Sequence, residues 1–378
     1  MNANAVNMFG ENKYSPGLEG IPAVKTRISK VDGINGKLVI AGYPIEEFAE
    51  KIDFEETFFL LLEDKLPNAE QKKRIVDDLI NARRFSPVQR KILESSVSEN
   101  ASIIECLRIG AASLSLGKPF TTSEEESYAV VSTLPLIVAW VYRLKKGLNP
   151  ILPNRELSLA ANFLFMLGIS PSPKKIKALN TYWNTVADHG LNASTFTARV
   201  IASTQSDLIS AATGAIGALK GPLHGGAPGP ALAMVFEIGN SNSAEQYLRN
   251  KIETGDRLMG FGHRIYKVRD PRADVLAEAA KELYELPELK SFYELAMDVE
   301  KTALRLLKEY KPDRTLHTNV EFYTALLLHG LDLPTDLFTP VFAIGRAAGW
   351  MAHCLEQKKE RILRPDAIYI GMENRHWR

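Results

Sequence analysis

Cysteine is nearly missing: Cys106 and Cys354 are the only two among 378 residues. So few, so far apart, provide neither a disulfide framework nor metal-ligand spacing, and they read as buried thiols in a reducing compartment. Excess charge is missing too, with 46 Lys and Arg against 45 Asp and Glu. That balance removes the broad electrostatic reason to expect nucleic acid or an anionic membrane as partner, so an anionic ligand must meet a local cluster of cations. Long apolar runs are absent. The greasiest, Leu134–Val141 and Leu157–Ile169, fall short of the ~18 residues that cross a bilayer and read as buried helices. Met1 to Asn12 hold no basic stretch leading into an apolar one, so cytoplasm is the expected location.

Strand signals are scarce as well. Arg27–Tyr43, with Val31-Asp32-Gly33, Asn35-Gly36 and the alternating Leu38-Val39-Ile40, predicts one short hairpin. From Pro44 onward apolar residues recur at three- and four-residue spacing, as in Ile45, Phe48, Ala49 and Ile52. Helices are expected near 68–84, 101–116, 123–147, 155–168, 173–188, 192–204 and 206–220, with breaks at Pro87, Pro119, Pro150–Pro153 and Pro171–Pro173. Further helices are expected near 228–238, 243–254, 271–285, 288–310, 318–330 and 337–355. The fold class is all-α. A chain of 378 residues also exceeds the ~250–300 at which one core stops growing, so two domains are expected. Neither a fixed-period repeat nor a low-complexity tract interrupts the pattern. The run Ala211–Gly221, with Gly214 and Gly217, uses poor helix formers and implies close packing within or between subunits.

Against that background three loop segments carry chemistry. Gly221-Pro222-Leu223-His224-Gly225-Gly226-Ala227, Met259-Gly260-Phe261-Gly262-His263-Arg264 and His317-Thr318-Asn319-Val320-Glu321-Phe322-Tyr323 each set a His or carboxylate in a loop or at the start of a helix. Two His and one carboxylate make an acid/base set, because imidazole donates or accepts near neutral pH and a carboxylate can take a proton from carbon. The same inventory could bind iron, but no short His-x-x-x-His or His-x-Glu spacing supports a metal. Neither Gly214-x-x-Gly217-x-x-x-Gly221 nor Gly260-x-Gly262 matches a dinucleotide or P-loop pattern. Arg272, Arg346 and Arg364 each stand beside a chain-direction change or a small residue, and guanidinium forks grip carboxylates in bidentate fashion.

Taken together, Gly17-Leu18-Glu19-Gly20, Asp188-His189-Gly190-Leu191-Asn192-Ala193-Ser194, the three loops, and Phe338–Arg346 with Gly349-Trp350-Met351-Ala352-His353 resemble the citrate synthases over nearly the whole chain. The resemblance implies an all-helical homodimer with a large domain (1–222 and 327–378) and an inserted small domain (223–326). It implies condensation of acetyl-CoA with oxaloacetate in a cleft between the domains, without metal or cofactor, CoA arriving as part of the substrate. His224 would hydrogen-bond the thioester oxygen, His263 would polarise the ketone, and Glu321 stands where the family's base usually is. His189, Arg272, Arg346 and Phe342 would form the oxaloacetate pocket, with Arg364 reaching the partner's site. Lys267, with Gly260 and Gly262, resembles positions that meet CoA. His317, His329, His353 and His376 read as structural or surface residues.

The sequence departs from the common pattern twice. Glu321 replaces the usual Asp, and Pro228-Gly229 follows Ala227 where Asn-Glu is frequent. A bacterial branch of the family carries Glu at that position. Two other readings stay open: a 2-methylcitrate synthase using propionyl-CoA, and a non-catalytic paralogue.

Overall fold

The computed structural model describes residues 14–377 other than 84, 118, 226–227, 263–265, 267, 288 and 315. Near its start lies an antiparallel sheet, β1 (Ser29–Asp32), β2 (Lys37–Ile40) and β3 (Tyr43–Pro44), in sequential order with Ser29 opposite Ile40 and Asp32 opposite Lys37. This is the expected hairpin with a third short strand added.

The rest is helical. First come α1 (Ile45–Phe48), α2 (Phe54–Glu63), α3 (Ala69–Ala82), α4 (Pro87–Ser98) and α5 (Ile103–Ala112). Then follow α6 (Ser123–Lys145), α7 (Leu159–Leu167), α8 (Pro173–Val186), α9 (Ala193–Ser203) and α10 (Leu208–Leu219). The series closes with α11 (Pro228–Ile238), α12 (Ser241–Glu253), α13 (Pro271–Leu283), α14 (Lys290–Tyr310), α15 (Val320–Gly330) and α16 (Phe338–Gln357).

Local chemistry sets the starts. Asp53 with Glu56, Asn68 with Gln71, Ser86 with Gln89 and Ser102 with Glu105 form reciprocal capping boxes at α2, α3, α4 and α5. One expectation fails here. Pro87 reads in sequence as a break, yet α4 begins on it, because a proline in the first helical turn gives up an N–H that has no partner there anyway. Helix α6 is long and apolar enough to cross a membrane by length and composition, but most of it is buried by packing against α3, α5, α7 and α16. Its Leu134–Val141 run and the Leu159–Leu167 helix are core, as expected, and both cysteines are buried.

Helices α9, α10 and α16 pack on one another and on α5, α6 and α8. Gly214 lets α9 and α10 approach closely, since a Cβ there would lie 2.4 Å from Ile201 Cδ1 and make that side chain shift. Helices α11 to α15 pack largely among themselves, while α13 and α15 also meet α8. The two groups of helices meet at His189, in the loop after α8, and Tyr266, in the loop before α13.

Candidate active site

Short constrained turns present the histidines. After α10 the chain turns so that His224 N–H donates to Gly221 O at 2.9 Å, and Thr339 Oγ1 of α16 donates to Gly225 O at 2.6 Å. Any side chain at Gly225 would place a Cβ 2.2 Å from Leu219 O, which explains the glycine beside the histidine. His224 Nε2 lies 2.8 Å from Ser194 Oγ, and that hydroxyl also meets Asn192 Oδ1 at 2.7 Å and accepts from Trp350 Nε1 at 3.1 Å. The Phe342 ring stands edge-on to the imidazole at 6.3 Å. Burial, and then the charge of Arg346, lower the His224 pKa from 6.5 to about 4, so the ring is neutral at pH 7.

His189 sits in the loop between α8 and α9, its Nε2 3.1 Å from the hydroxyl of Tyr266. The two arginines nearby differ. Arg272, at the start of α13, is 6% exposed and forks onto Asp270 through Nη2 at 2.8 Å and Nε at 3.1 Å. Arg346, on α16, is 2% exposed and lies over the Phe342 ring at 5.0 Å. Among the described residues its Nε and Nη1 have no hydrogen-bond partner, and its pKa falls to about 10, through burial first, with Asp188 opposing and Arg272 adding to the fall. The charge of Arg272 reaches Glu321 in turn. His224, Arg346, Arg272 and Glu321 therefore share one electrostatic neighbourhood.

Glu321 occupies the first turn of α15. The cap Asn319 accepts from Glu321 N–H at 2.9 Å and donates from Nδ2 to Gly262 O at 2.8 Å. The 260–262 loop is zipped to 317–319 by Asn319 N–H to Gly260 O, at 2.9 Å, and Gly262 N–H to His317 O, at 2.8 Å. Gly260 has φ +89° and a Cβ there would meet Phe322 Cβ at 2.9 Å, so glycine is required twice over. Burial raises the Glu321 pKa, the Arg272 charge lowers it and Asp270 raises it, for a net rise.

Gly260, Gly262, Asn319 and Glu321 line a cavity of about 620 Å³ together with Arg257, Lys311 and Arg314. Those three cations are absent from the sequence-based list. They sit in loop or helix-end positions flanking the glycine and His317–Tyr323 motifs, and that flanking is the signal that could have found them. His263 and Lys267 lie outside the described residues. Arg364 is exposed in the segment after α16, and among the described residues no hydrogen bond or ion pair ties it to the cluster. Among the described residues no group of three or more His, Cys, Asp or Glu could hold a metal ion.

A family model described as citrate synthase, C-terminal domain, matches residues 17–366. The chain belongs to the citrate synthase family. It is 39% identical to the citrate synthase of Synechocystis sp. over 376 residues, covering 97% of this chain and 94% of that one. Citrate synthase 2 of Bacillus subtilis is also 39% identical, with 94% and 95% covered. Among solved structures, citrate synthase from Pyrobaculum aerophilum superposes with a TM-score of 0.86 at 33% identity, covering 96% of this chain and 93% of that one. The ternary complex of carboxymethyl coenzyme A and oxaloacetate with citrate synthase from Thermoplasma acidophilum superposes with a TM-score of 0.85 at 29% identity, covering 97% of this chain and 98% of that one. The helical architecture and the enzyme class, an acyltransferase of the citrate synthase type, follow from this membership.

Proposed function

We propose that the protein condenses acetyl-CoA with oxaloacetate and hydrolyses the resulting thioester to citrate and CoA. The observation that carries this reading is Arg346, a buried guanidinium with two nitrogens that no described residue pairs, set beside Arg272 and His224 at one end of a site whose other end is a cationic cavity closed by Glu321. Oxaloacetate supplies the two carboxylates that Arg346, Arg272 and His189 would hold. The exposed Arg257, Lys311 and Arg314 suit the phosphates of CoA, which brings its thioester past Gly260 and Gly262 toward Glu321.

Glu321 takes a proton from the acetyl methyl group, and the electron pair moves onto the thioester oxygen, where neutral His224, oriented by Ser194, stabilises the enol by hydrogen bonding. The enol carbon then attacks the ketone of oxaloacetate, whose oxygen takes up a proton. The resemblance assigns polarisation of that ketone to His263. Water cleaves the citryl thioester and releases the CoA thiol.

A homodimer with a mobile small domain at 223–326 and the remainder as the large domain fits the same reading. Ile362, Ile368, Ile370, Met372 and Trp377 are 57 to 100% exposed in the segment that holds Arg364, and so apolar a tail calls for a second subunit to cover it. Closure over oxaloacetate would exclude water before the thioester arrives.

The test is CoA-thiol release from acetyl-CoA and from propionyl-CoA, each with oxaloacetate, in the unmodified protein and in Glu321→Gln. Glu321→Gln should nearly abolish condensation while leaving oxaloacetate binding within a few-fold. Near-full turnover by that variant removes Glu321 from the mechanism, faster turnover on propionyl-CoA moves the reading to 2-methylcitrate, and thermal stabilisation by oxaloacetate without thiol release leaves a binding paralogue.

A further inference from the structure

His353, on α16, is fully buried and is not one of the residues that the proposed chemistry uses. Its Nδ1 lies 2.8 Å from Arg199 Nη1 and its Nε2 lies 3.1 Å from Asp188 Oδ1. A guanidinium has donors and no acceptor, so Nδ1 must accept, which leaves the Nε2 proton to be donated to Asp188. Arg199 is itself fixed, donating from Nε to Gln357 Oε1 at 2.9 Å and from Nη1 to Glu356 Oε2 at 2.6 Å. The imidazole is thus oriented from behind by a fully buried arginine of α9.

Asp188 immediately precedes His189. Its Oδ2 accepts from Gly190 N–H at 3.0 Å and from the Ser29 hydroxyl of β1, while Oδ1 takes the His353 proton. Both oxygens are therefore engaged, and the bond to Gly190 folds the 188–190 turn that presents His189. The same carboxylate attracts the Arg346 guanidinium through space, although Arg346 Nε and Nη1 remain without a partner among the described residues. An Asp188 freed from His353 could rotate and capture those donors, pairing off the arginine and releasing the turn.

We propose that His353, acting through Asp188, is a positioning residue that keeps His189 in place and Arg346 available for the substrate carboxylate. The inference rests on the oxaloacetate site proposed above. It distinguishes His353 from a histidine that merely fills the core, because the two roles separate in kinetics.

In His353→Leu, Asp188 Oδ1 loses its donor. The KM for oxaloacetate should rise roughly 10- to 100-fold, the range expected for losing one hydrogen bond to a charged group in this setting, while the KM for acetyl-CoA, measured at saturating oxaloacetate, changes by less than about 3-fold. His353→Gln can present an acceptor to Arg199 and a donor to Asp188, and should recover most of the lost affinity. Ser29→Ala removes a second donor to Asp188 from a different element, at a half-buried position, and should raise the oxaloacetate KM several-fold even where His353→Leu does not fold.

Melting temperature is read alongside. If oxaloacetate KM is unchanged in Ser29→Ala and in whichever His353 variants fold, with turnover following only the folded fraction, the inference is overturned while the site reading stands. An unmodified protein that neither binds oxaloacetate nor releases thiol overturns the site reading and the inference together.

Discussion

Replacing Arg346 by Met separates ligand binding from fold stability. The guanidinium is 2% exposed, two of its nitrogens lack partners among the described residues, and its pKa has moved from the ordinary arginine range to about 10. The attraction of Asp188 is already included in that value. At about 1.4 kcal/mol per tenfold change, the ligand-free fold bears on the order of 3 kcal/mol for keeping this charge inside. The sign is that of a base whose folded pKa is depressed: at neutral pH the group is charged in both states, so the full cost is present. Met fills similar space without a charge, and replacing buried ionic groups by well-packed apolar ones often stabilises by about 1–4 kcal/mol. Arg346→Met should therefore melt a few degrees higher than the unmodified protein in the absence of ligand. It should also lose the stabilisation that oxaloacetate confers, which for a ligand at about 100 times its Kd is roughly 2.7 kcal/mol. Calorimetry of both proteins with and without oxaloacetate reads the two effects separately. A variant that melts lower than the unmodified protein and is still stabilised by oxaloacetate would refute both the charge-burial argument and the assigned role.

Three other outcomes are expected. Because the His224 pKa is lowered from 6.5 to about 4, the unfolded chain binds a proton in that window that the folded chain refuses, so stability falls as pH falls across it. His224→Gln should flatten that part of the acid-unfolding curve, and an identical slope in both proteins would contradict the shift. Gly349→Ala would bring a Cβ to 2.2 Å from Ala187 O and 2.8 Å from Asp188 Oδ1, so it should cost about 1–3 kcal/mol and raise the oxaloacetate KM; a thermal melt and kinetics both unchanged would show that α16 moves aside freely. Mixed dimers of Arg364→Ala with His224→Ala should regain part of the activity that each lacks alone, and verified hybrids with none would count against a site shared between subunits.

How far the sequence foretold these features depends on the range of the interactions behind them. Helix positions are legible because apolar spacing is local: Ile45, Phe48, Ala49 and Ile52 recur at three- and four-residue steps without help from the rest of the fold. Pro87 misled because the residue that breaks a helix interior is well suited to its first turn, and the capping pair Ser86 and Gln89 went unread. His224, Glu321 and the glycines beside them could be picked out because a functional loop concentrates backbone freedom and titratable groups in a few residues. The network around them could not. Ser194 meets Trp350 across 156 positions and Arg199 meets His353 across 154, and nothing in the local pattern of either segment specifies the other. In the sequence alone His353 reads as a structural or surface residue, and nothing singles out Arg199.

The two ends of the proposed site follow different electrostatics, and this is how a chain of formal net charge +1 can serve two anionic substrates. Arg272 and Arg346 are 6% and 2% exposed, where a carboxylate meets them with little solvent between and salt screens weakly. Arg257, Lys311 and Arg314 are exposed, and cations at the surface act through water, over a Debye length of about 8 Å at physiological ionic strength. The buried pair can therefore select the geometry of a small dicarboxylate, because a misplaced oxygen leaves the Arg346 donors unsatisfied while Arg272 is held in place by Asp270. The exposed three can attract a flexible phosphate chain without fixing its exact path. Between the two lies Glu321, raised in pKa by burial and restrained by Arg272. A carboxylate raised in this way is a stronger base than one in water, which suits removal of a proton from carbon.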